Sequence, residues 1–224
     1  MAGKVAGKGR VALLLLALFA ASALVIALNP PPPPKPLQPP SGSSAQLQLT
    51  EQEKSEALSI ALKDPNVGSV LRGVNWTLAL AGPWTENGEK VGAVLLIRVS
   101  EAAWVSGTFR ELGGSPYRAS LWLGSLHVFV NLKEGKVAAA SPGMARALRD
   151  PPVLDDRVEK ARGVALAWVR GSRSAYLNGV FYTEEFPEGL AFFHVEGEQG
   201  ESLVAVSMAR MRVEERYSGR VAGG

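Results

Sequence analysis

Hydrophobic and polar residues follow three successive patterns along this chain of 224 residues. Residues 11–28 form an uncharged, apolar run that would extend roughly 27 Å as a helix, enough to span the core of a bilayer. Residues 29–46 are rich in proline and favour an extended polyproline spacer. The rest of the chain changes between helical and strand periodicity, so it is the part expected to fold around a core.

Helical periodicity occurs twice after the proline-rich segment. Thr50-x-x-Glu53 and Asp156-x-x-Glu159 both fit the capping box, in which the first side chain accepts from a backbone amide and the Glu side chain reaches back. Apolar residues then recur three and four positions apart, as on the buried face of a helix. The two helices predicted from these signals cover 51–64 and 156–170.

Strand periodicity follows each predicted helix. Alternating apolar and polar residues, separated by turns rich in Gly, Asn and Pro, predict short antiparallel strands, with the first turn around Asn87-Gly88. A helix followed by such a meander can bury its apolar face on one face of the sheet. Residues 102–118 are predicted to form a long loop between two of the strands. The predicted strands are 74–81, 91–99, 120–132, 137–140, 179–186, 190–196 and 202–214.

The chain also resembles itself at a constant offset of 106 positions. Residues 50–77 align with 156–183 without a gap, and 73–77 match 179–183 most clearly. The predicted fold class is therefore α+β: a transmembrane helix followed by two repeats, each with one helix packed on its own small antiparallel meander. The predicted parts are a basic cytoplasmic head (1–10), a transmembrane signal-anchor (11–28), a Pro-rich linker (29–46), a first repeat (47–141), a linker (142–153), a second repeat (154–217) and a flexible tail (218–224).

Charge predicts the location of the folded part. Lys4, Lys8 and Arg10 account for the whole excess of 24 basic over 21 acidic residues, so no basic stripe is left to bind nucleic acid. Positive charge before an apolar span stays on the cytoplasmic side, which predicts an extracytoplasmic C-terminal region at the cell membrane. Ala21-Ser22-Ala23 also fits a cleavage site, so the alternative is secretion after cleavage near Ala23.

Two segments resemble the PepSY domain family. They are the capped helix over 50–64, which contains EKSEALSIALKD, and the hairpin over 127–140, which contains VFVNLKEGKVAAA. The second predicted repeat is similar through its helix and residues 179–183. The resemblance implies PepSY-like, cystatin-like α+β repeats and a non-catalytic extracytoplasmic module, in that family often linked to restraining peptidases or to membrane-associated assembly.

No residue pattern indicates catalysis, a cofactor or a metal site. The chain contains no cysteine, which excludes disulfides and thiolate chemistry. His127 and His194 are far apart in sequence, and neither has a second ligand at metal-binding spacing. Gly114-Ser115-Pro116 lacks the amide that an oxyanion hole takes from the residue after the nucleophile. We therefore expect a protein that is not an enzyme, with no catalytic, cofactor-binding or metal-binding residues.

Aromatic residues are the remaining candidates for a binding surface. The expected partner is a protein or peptide at the outer membrane face, with the membrane itself bound through 11–28; the oligomeric state stays open. Asn75-Trp76-Thr77 is a glycosylation sequon on the predicted outer side, so Asn75 is a candidate for modification. Two other functions stay open: a structural or accessory subunit of a membrane or envelope complex, and a hydrolase of unrecognised type. The candidate partner-binding residues are Trp84, Trp104, Phe109 and Tyr117.

Overall fold

A computed structural model describes residues 48–152 and 154–218. In this part of the chain two helices precede four strands, and a third helix precedes four more. The helices are α1 (Glu51–Lys63), α2 (Pro65–Leu71) and α3 (Asp156–Trp168). The strands are β1 (Trp76–Glu86), β2 (Glu89–Arg110), β3 (Pro116–Asn131), β4 (Lys136–Met144), β5 (Ser174–Tyr182), β6 (Leu190–Gly197), β7 (Gly200–Ser207) and β8 (Arg212–Ser218).

All eight strands belong to one antiparallel sheet, with β1 and β8 at its two edges. The central strand is β3, which pairs with β2 along one edge and divides its other edge between β5 and β4. Residues 99–102 bulge out of β2 opposite β3, and a single bridge joins Arg110 to Ala140 of β4. A bulge bends its strand, so the β2–β3 hairpin curls and the end of β2 meets β4.

The prediction of two small, separate sheets is wrong. Residues 118–121 of β3 pair with 179–182 of β5, and this ladder joins all the strands into a single, predominantly β structure. The error began with the loop predicted over 102–118. Most of that segment continues β2 and begins β3, which leaves only a turn at 111–115. The extended hairpin supplies the strand edge on which β5 is placed.

The prediction of a repeated helix-plus-strand unit is also wrong. Residues 68–71 lie in α2, whereas the residues 106 positions later, 174–177, begin strand β5. The difference begins at Asp64, whose side chain accepts from the amides of Asn66 and Val67 and so starts a second helix at Pro65. In the later segment, Gly171 at φ 62° turns the chain directly into a strand.

Helix capping agrees with the sequence at the first helix and differs by one residue at the third. Thr50 accepts from the Glu53 amide at 3.2 Å, and the Glu53 carboxylate accepts from the Thr50 amide at 2.8 Å, which confirms the predicted capping box. Asp155, rather than Asp156, caps α3 and accepts from two backbone amides. Asp156 instead lies in the first turn, where its charge favours the helix dipole.

Two hydrophobic clusters hold the helices on the sheet. The first contains apolar residues of α1, α2 and β2–β4, including the fully buried Leu95, Ile97 and Leu121. The second joins α3 to β5–β7 and contains Phe193, Val195 and Val204. In both clusters small helix residues, such as Ala61 and Ala165, allow close approach to the strands.

The membrane-spanning helix that the sequence predicted is not among the three described helices. None of these is long and apolar enough to cross a membrane. The predicted head at 1–10, anchor at 11–28 and linker at 29–46 lie outside the described residues, as does nearly all of the tail at 218–224.

Candidate functional site at an uncharged sheet edge

The β1 edge of the sheet carries no charge over most of its length. Residues 76–85 contain no acidic or basic side chain, and the first charge is Glu86 at the turn into β2. In the described part of the chain β1 pairs only with β2, so its other edge is free. Free, uncharged strand edges are the positions at which another chain can add a strand.

A β-bulge sets the direction of the side chains along β1. Leu78 pairs with Ile97, but Leu80 pairs with Leu96, so Ala79 is an extra residue in the ladder. Trp76 and Leu78 pack against the first core, whereas Leu80 is 60 % exposed. A bulge inserts one residue and changes which residues face the core. A large apolar side chain is thereby exposed midway along the free edge.

Half-buried apolar residues continue from Leu80 across the sheet. Ala93, Leu95 and Ile97 of β2 face the core, so the residues between them face away from the helices. Leu96 lies beside Leu80 in the register, and Val94 lies beside Phe129. We call Leu80, Val94, Leu96 and Phe129 the outer apolar face; the last three are partly buried.

Three of the four predicted partner-binding aromatic residues pack closely within the sheet. Trp84 is 9 % exposed and meets the Phe129 ring edge-on at 5.9 Å, at the margin of the outer apolar face. Trp104 packs edge-on against Trp122 at 5.7 Å. Phe109 is 2 % exposed and lies in the first core. The structure therefore places Trp84, but not Trp104 or Phe109, against a residue of the outer apolar face.

Tyr117, the fourth predicted residue, belongs to a hydrogen-bonded group at the tip of the β2–β3 hairpin. Its hydroxyl donates to Glu111 at 2.9 Å, and Ser141 of β4 donates to the other Glu111 oxygen at 2.5 Å. Burial, followed by the charge of Glu111, raises the pKa of Tyr117 far above its usual value. The ring stacks between Phe109 and Phe181, at 6.1 and 6.0 Å. Tyr117 therefore helps to hold the hairpin tip against β4.

The candidate glycosylation site lies directly before β1. The Asn75 side chain is exposed, and its backbone carbonyl accepts from the Ser100 amide at 2.9 Å. Asn75 is thus next to the free edge, and its side chain is accessible to modification.

The two histidines occupy different environments. His127 is exposed on β3 opposite Leu96, on the side of the outer apolar face. His194 is 7 % exposed on β6 and lies beside Glu201 and Arg146. Burial is the main cause that lowers the pKa of His194, because it disfavours the charged imidazolium. His194, Glu196 and Glu201 bring three possible metal-ligand atoms within 4.8 Å of one another.

A cleft of about 400 Å³ lies where the end of β2 approaches β4. Its walls include the apolar residues Phe109, Val137 and Ala139, together with Asp64 and Arg110. The Asp64 carboxylate already caps α2, so one of its oxygens accepts from two amides. The Asp64 carboxylate of this cleft therefore already has a structural role in capping α2.

Sequence reasoning missed Leu80 as a surface residue. The signal was present in the uncharged run WTLALAGPWT at 76–85, but the reversal of direction comes from a bulge that periodicity does not reveal. Trp168, at the end of α3, is one of several other large apolar side chains on the surface and is 58 % exposed. Neither residue stood out because strand and helix periodicity place both on apolar faces.

Comparison with known proteins adds no family. No protein-family model matches the chain, and the searches of curated proteins and of solved structures gave no match either. The resemblance to the PepSY family therefore stays a prediction, and the function has to be argued from the geometry.

Proposed function

We propose that this protein is a non-enzymatic binding module that takes an extended segment of a protein partner as an added strand on β1. The observation that carries the proposal is the free edge over 76–85, which is uncharged and has Leu80 exposed midway along it. Exposed edges are usually protected by charged side chains, by proline or by bulges. β1 lacks the first of these protections, so its backbone groups stay available to a partner.

Backbone geometry limits the length of the added strand. Pro83 has no amide, and proline is accommodated at an edge when the missing donor faces outward. Pairing by a partner should therefore cover the part of β1 before Pro83, about seven residues. The bulge at Ala79 lies within that stretch and twists it. A short, twisted edge of this kind favours one extended segment over the indefinite stacking of copies.

Side chains supply the selectivity that backbone pairing lacks. The outer apolar face favours a partner segment that has an apolar residue opposite Leu80 and no charged residue beside it. A charged residue at that position would lose solvation without gaining an ion pair, since residues 76–85 contain no charge. The proposed partner is therefore an extended, uncharged, apolar segment of another protein.

We further propose that this binding takes place outside the cytoplasm. The support is the order of a basic head and an apolar run in residues 1–28. Protease added to intact cells should then remove the C-terminal region. Protection in intact cells, with digestion after lysis, would contradict the location without affecting the proposed strand addition.

Site-specific photo-crosslinking tests the binding proposal. A photoreactive residue at position 80 of the full chain, expressed in its native cell, should join β1 to one segment of a partner protein. A photoreactive residue at Glu215 of β8 is the matched control at the opposite edge. A synthetic peptide with the crosslinked sequence should then bind the wild-type protein and bind Leu80→Lys about 30-fold more weakly, because an apolar anchor is replaced by a charge.

Three results would contradict the proposal. Equal crosslinking from both edges would show that contact is not specific to β1. A peptide that binds wild type and Leu80→Lys equally would show that the edge is not the site. Crosslinks from position 80 only to other copies of this chain would show that β1 mediates self-association rather than binding of a partner protein.

A further inference from the structure

A second group of side chains, on β6 and β7, has the composition of a metal site. His194 and Glu196 are two residues apart on β6, so both side chains lie on one face of the sheet. Glu201 pairs with Glu196 across the β6–β7 turn, which brings the second carboxylate beside the first. An imidazole nitrogen and two carboxylate oxygens are ligands that Zn²⁺ accepts in proteins.

Two hydrogen-bond acceptors face each other within this group. The Nε–H of Arg146 donates to His194 Nε2 at 3.3 Å, so this imidazole nitrogen acts as an acceptor. Glu201 Oε2 lies 3.4 Å from the same nitrogen, is buried and has no hydrogen-bond partner. Buried polar atoms are nearly always paired, and an unpaired one points to a missing proton, water or ion. A cation placed between Nε2 and Oε2 would be bound by both atoms.

The group holds two carboxylates and one guanidinium. Glu196 and Glu201 both face Arg146, whose guanidinium contacts Glu201 Oε1 and lies 3.6 Å from Glu196 Oε1. The second Glu196 oxygen accepts from Ser174 at 3.0 Å, which orients the carboxylate and leaves Oε1 toward the cluster. A divalent ion would neutralise the two carboxylates, whereas one guanidinium leaves a net negative charge.

The side chain of Arg146 can move out of the cluster without disturbing the backbone around it. Its side chain is 43 % exposed, whereas that of His194 is 9 % exposed. The backbone on either side of Arg146 is held independently, because Asn178 bonds to the Ala145 carbonyl and the Ala147 amide. The guanidinium can therefore turn into solvent while the segment around it stays attached to β5.

We propose that His194, Glu196 and Glu201 bind a divalent transition-metal ion, with Zn²⁺ the best match, and that the ion exchanges with the guanidinium of Arg146. His194 Nε2 and one oxygen from each carboxylate are the three protein ligands, and water takes the open fourth position. Arg146 occupies the site as a competing cation when metal is scarce. This site is separate from the β1 edge and does not depend on the proposed function.

Calorimetric titration of the full chain with ZnCl₂ tests the site. All proteins carry His127→Ala, which removes the exposed histidine as a source of surface binding. One ion should bind per chain, and Glu201→Gln and His194→Ala should each weaken binding about tenfold or more. Arg146→Gln should bind Zn²⁺ about tenfold more tightly, because a positive charge close to the ion is gone. Glu215→Gln, outside the cluster, is the matched control and should bind like the parent.

The Arg146 variant separates this proposal from a purely structural ion pair. Zn²⁺ binding that is absent from both the parent and Arg146→Gln would overturn the site. Binding unchanged by Glu201→Gln would overturn the ligand assignment, and weaker binding by Arg146→Gln would overturn the exchange. Thermal melts accompany each titration; if His194→Ala does not fold, Glu201→Gln, which keeps the shape of the side chain, decides the ligand assignment.

Discussion

The two edges of this sheet differ in charge, although β1 and β8 each pair with one strand among the described residues. β1 has no charged side chain over 76–85, whereas β8 carries Arg212, Glu214 and Glu215 within four residues. Glu214 accepts from Arg212 at 2.9 Å, and this bond is the main cause that lowers the pKa of Glu214. A strand added to β8 would have to desolvate these charges, and a strand added to β1 would not. This difference in charge is the reason for proposing β1, rather than β8, as the binding edge.

The largest effect on stability should come from Gly92 of β2, which lies directly beside β1. A Cβ atom at Gly92 would lie 1.9 Å from the Val130 carbonyl oxygen and 3.1 Å from the Trp84 ring. Backbone atoms cannot move aside cheaply, so Gly92→Ala should lower the free energy of unfolding by about 3 kcal/mol. Urea denaturation measures the change.

Gly82 on β1 is the matched control for Gly92. A Cβ atom there meets nothing within 4 Å, so Gly82→Ala should change stability by less than about 0.5 kcal/mol. Equal effects of the two substitutions would show that the close approach of Gly92 to the Val130 carbonyl of β3 is incorrect.

A lysine at the centre of the open edge should make β1 resemble β8. Leu80 is 60 % exposed, so Leu80→Lys should leave the melting temperature nearly unchanged. It should weaken binding of the partner segment by about 2 kcal/mol, the usual cost of losing an apolar anchor. Fluorescence anisotropy with the crosslinked peptide measures the affinity. Loss of folding together with binding would mean that Leu80 is structural rather than an exposed contact.

The reverse experiment removes the protection of β8. The fourfold change Arg212→Thr, Glu214→Thr, Glu215→Thr and Arg216→Thr leaves an uncharged strand of good β propensity at the edge. The variant should self-associate and reach at least about twice the monomer mass in light scattering, because edge charges prevent strand pairing. A mass equal to that of wild type at every concentration would show that charge does not protect β8.

The smallest effect concerns an ion pair near the end of β1. Lys90, which pairs with Thr85, donates to Glu53 at 2.9 Å, and this bond is the main cause that lowers the pKa of Glu53. A pKa below its unfolded value means that ionised Glu53 stabilises the fold at neutral pH. That contribution should disappear as the pH falls through the folded-state pKa. Lys90→Met should therefore cost about 0.5 kcal/mol at pH 7.

Urea denaturation at several pH values checks the Lys90 prediction. The difference between wild type and Lys90→Met should become smaller at pH values below the pKa of Glu53, where only the bond from Lys90 to the Gln48 carbonyl is left. Lys133→Met is the matched control. In the wild type, Lys133 Nζ is 3.8 Å from the carboxylate of the exposed Glu89, so this substitution should change stability little at any pH. A Lys90→Met difference that persists in full at low pH would assign the effect to the bond from Lys90 to the Gln48 carbonyl or to packing of the lysine stem, rather than to the Glu53 ion pair.

Local signals in the sequence predicted local structure well. The capping box at Thr50 and the turn at Asn87-Gly88 depend on neighbouring residues, and both are present: Asn87 and Gly88 have φ of 51° and 82°. Such positive φ values suit Asn and Gly in a tight hairpin. The sequence therefore contains enough information to predict where α1 begins and where β1 turns into β2.

Long-range pairing could not be read from the sequence in the same way. The pairing of 118–121 with 179–182 joins segments about sixty residues apart, and no local pattern specifies it. The bulge at Ala79 adds one residue and thereby reverses which side chains face the core. The cluster of His194, Glu196 and Glu201 could more nearly have been predicted from local sequence. His194 and Glu196 are two residues apart on one strand, and a tight turn brings Glu201 beside Glu196. What was missed in each case was the register between strands.

Amide hydrogen exchange of the complex with the crosslinked peptide tests the open edge most directly. Strand addition hydrogen-bonds the outward-facing amides of β1, so exchange over 76–82 should slow by about tenfold or more when the peptide binds. Amides of β8 should exchange at unchanged rates. Slowed exchange in β8 or in the helices, with no change over 76–82, would contradict the claim that β1 is the binding edge.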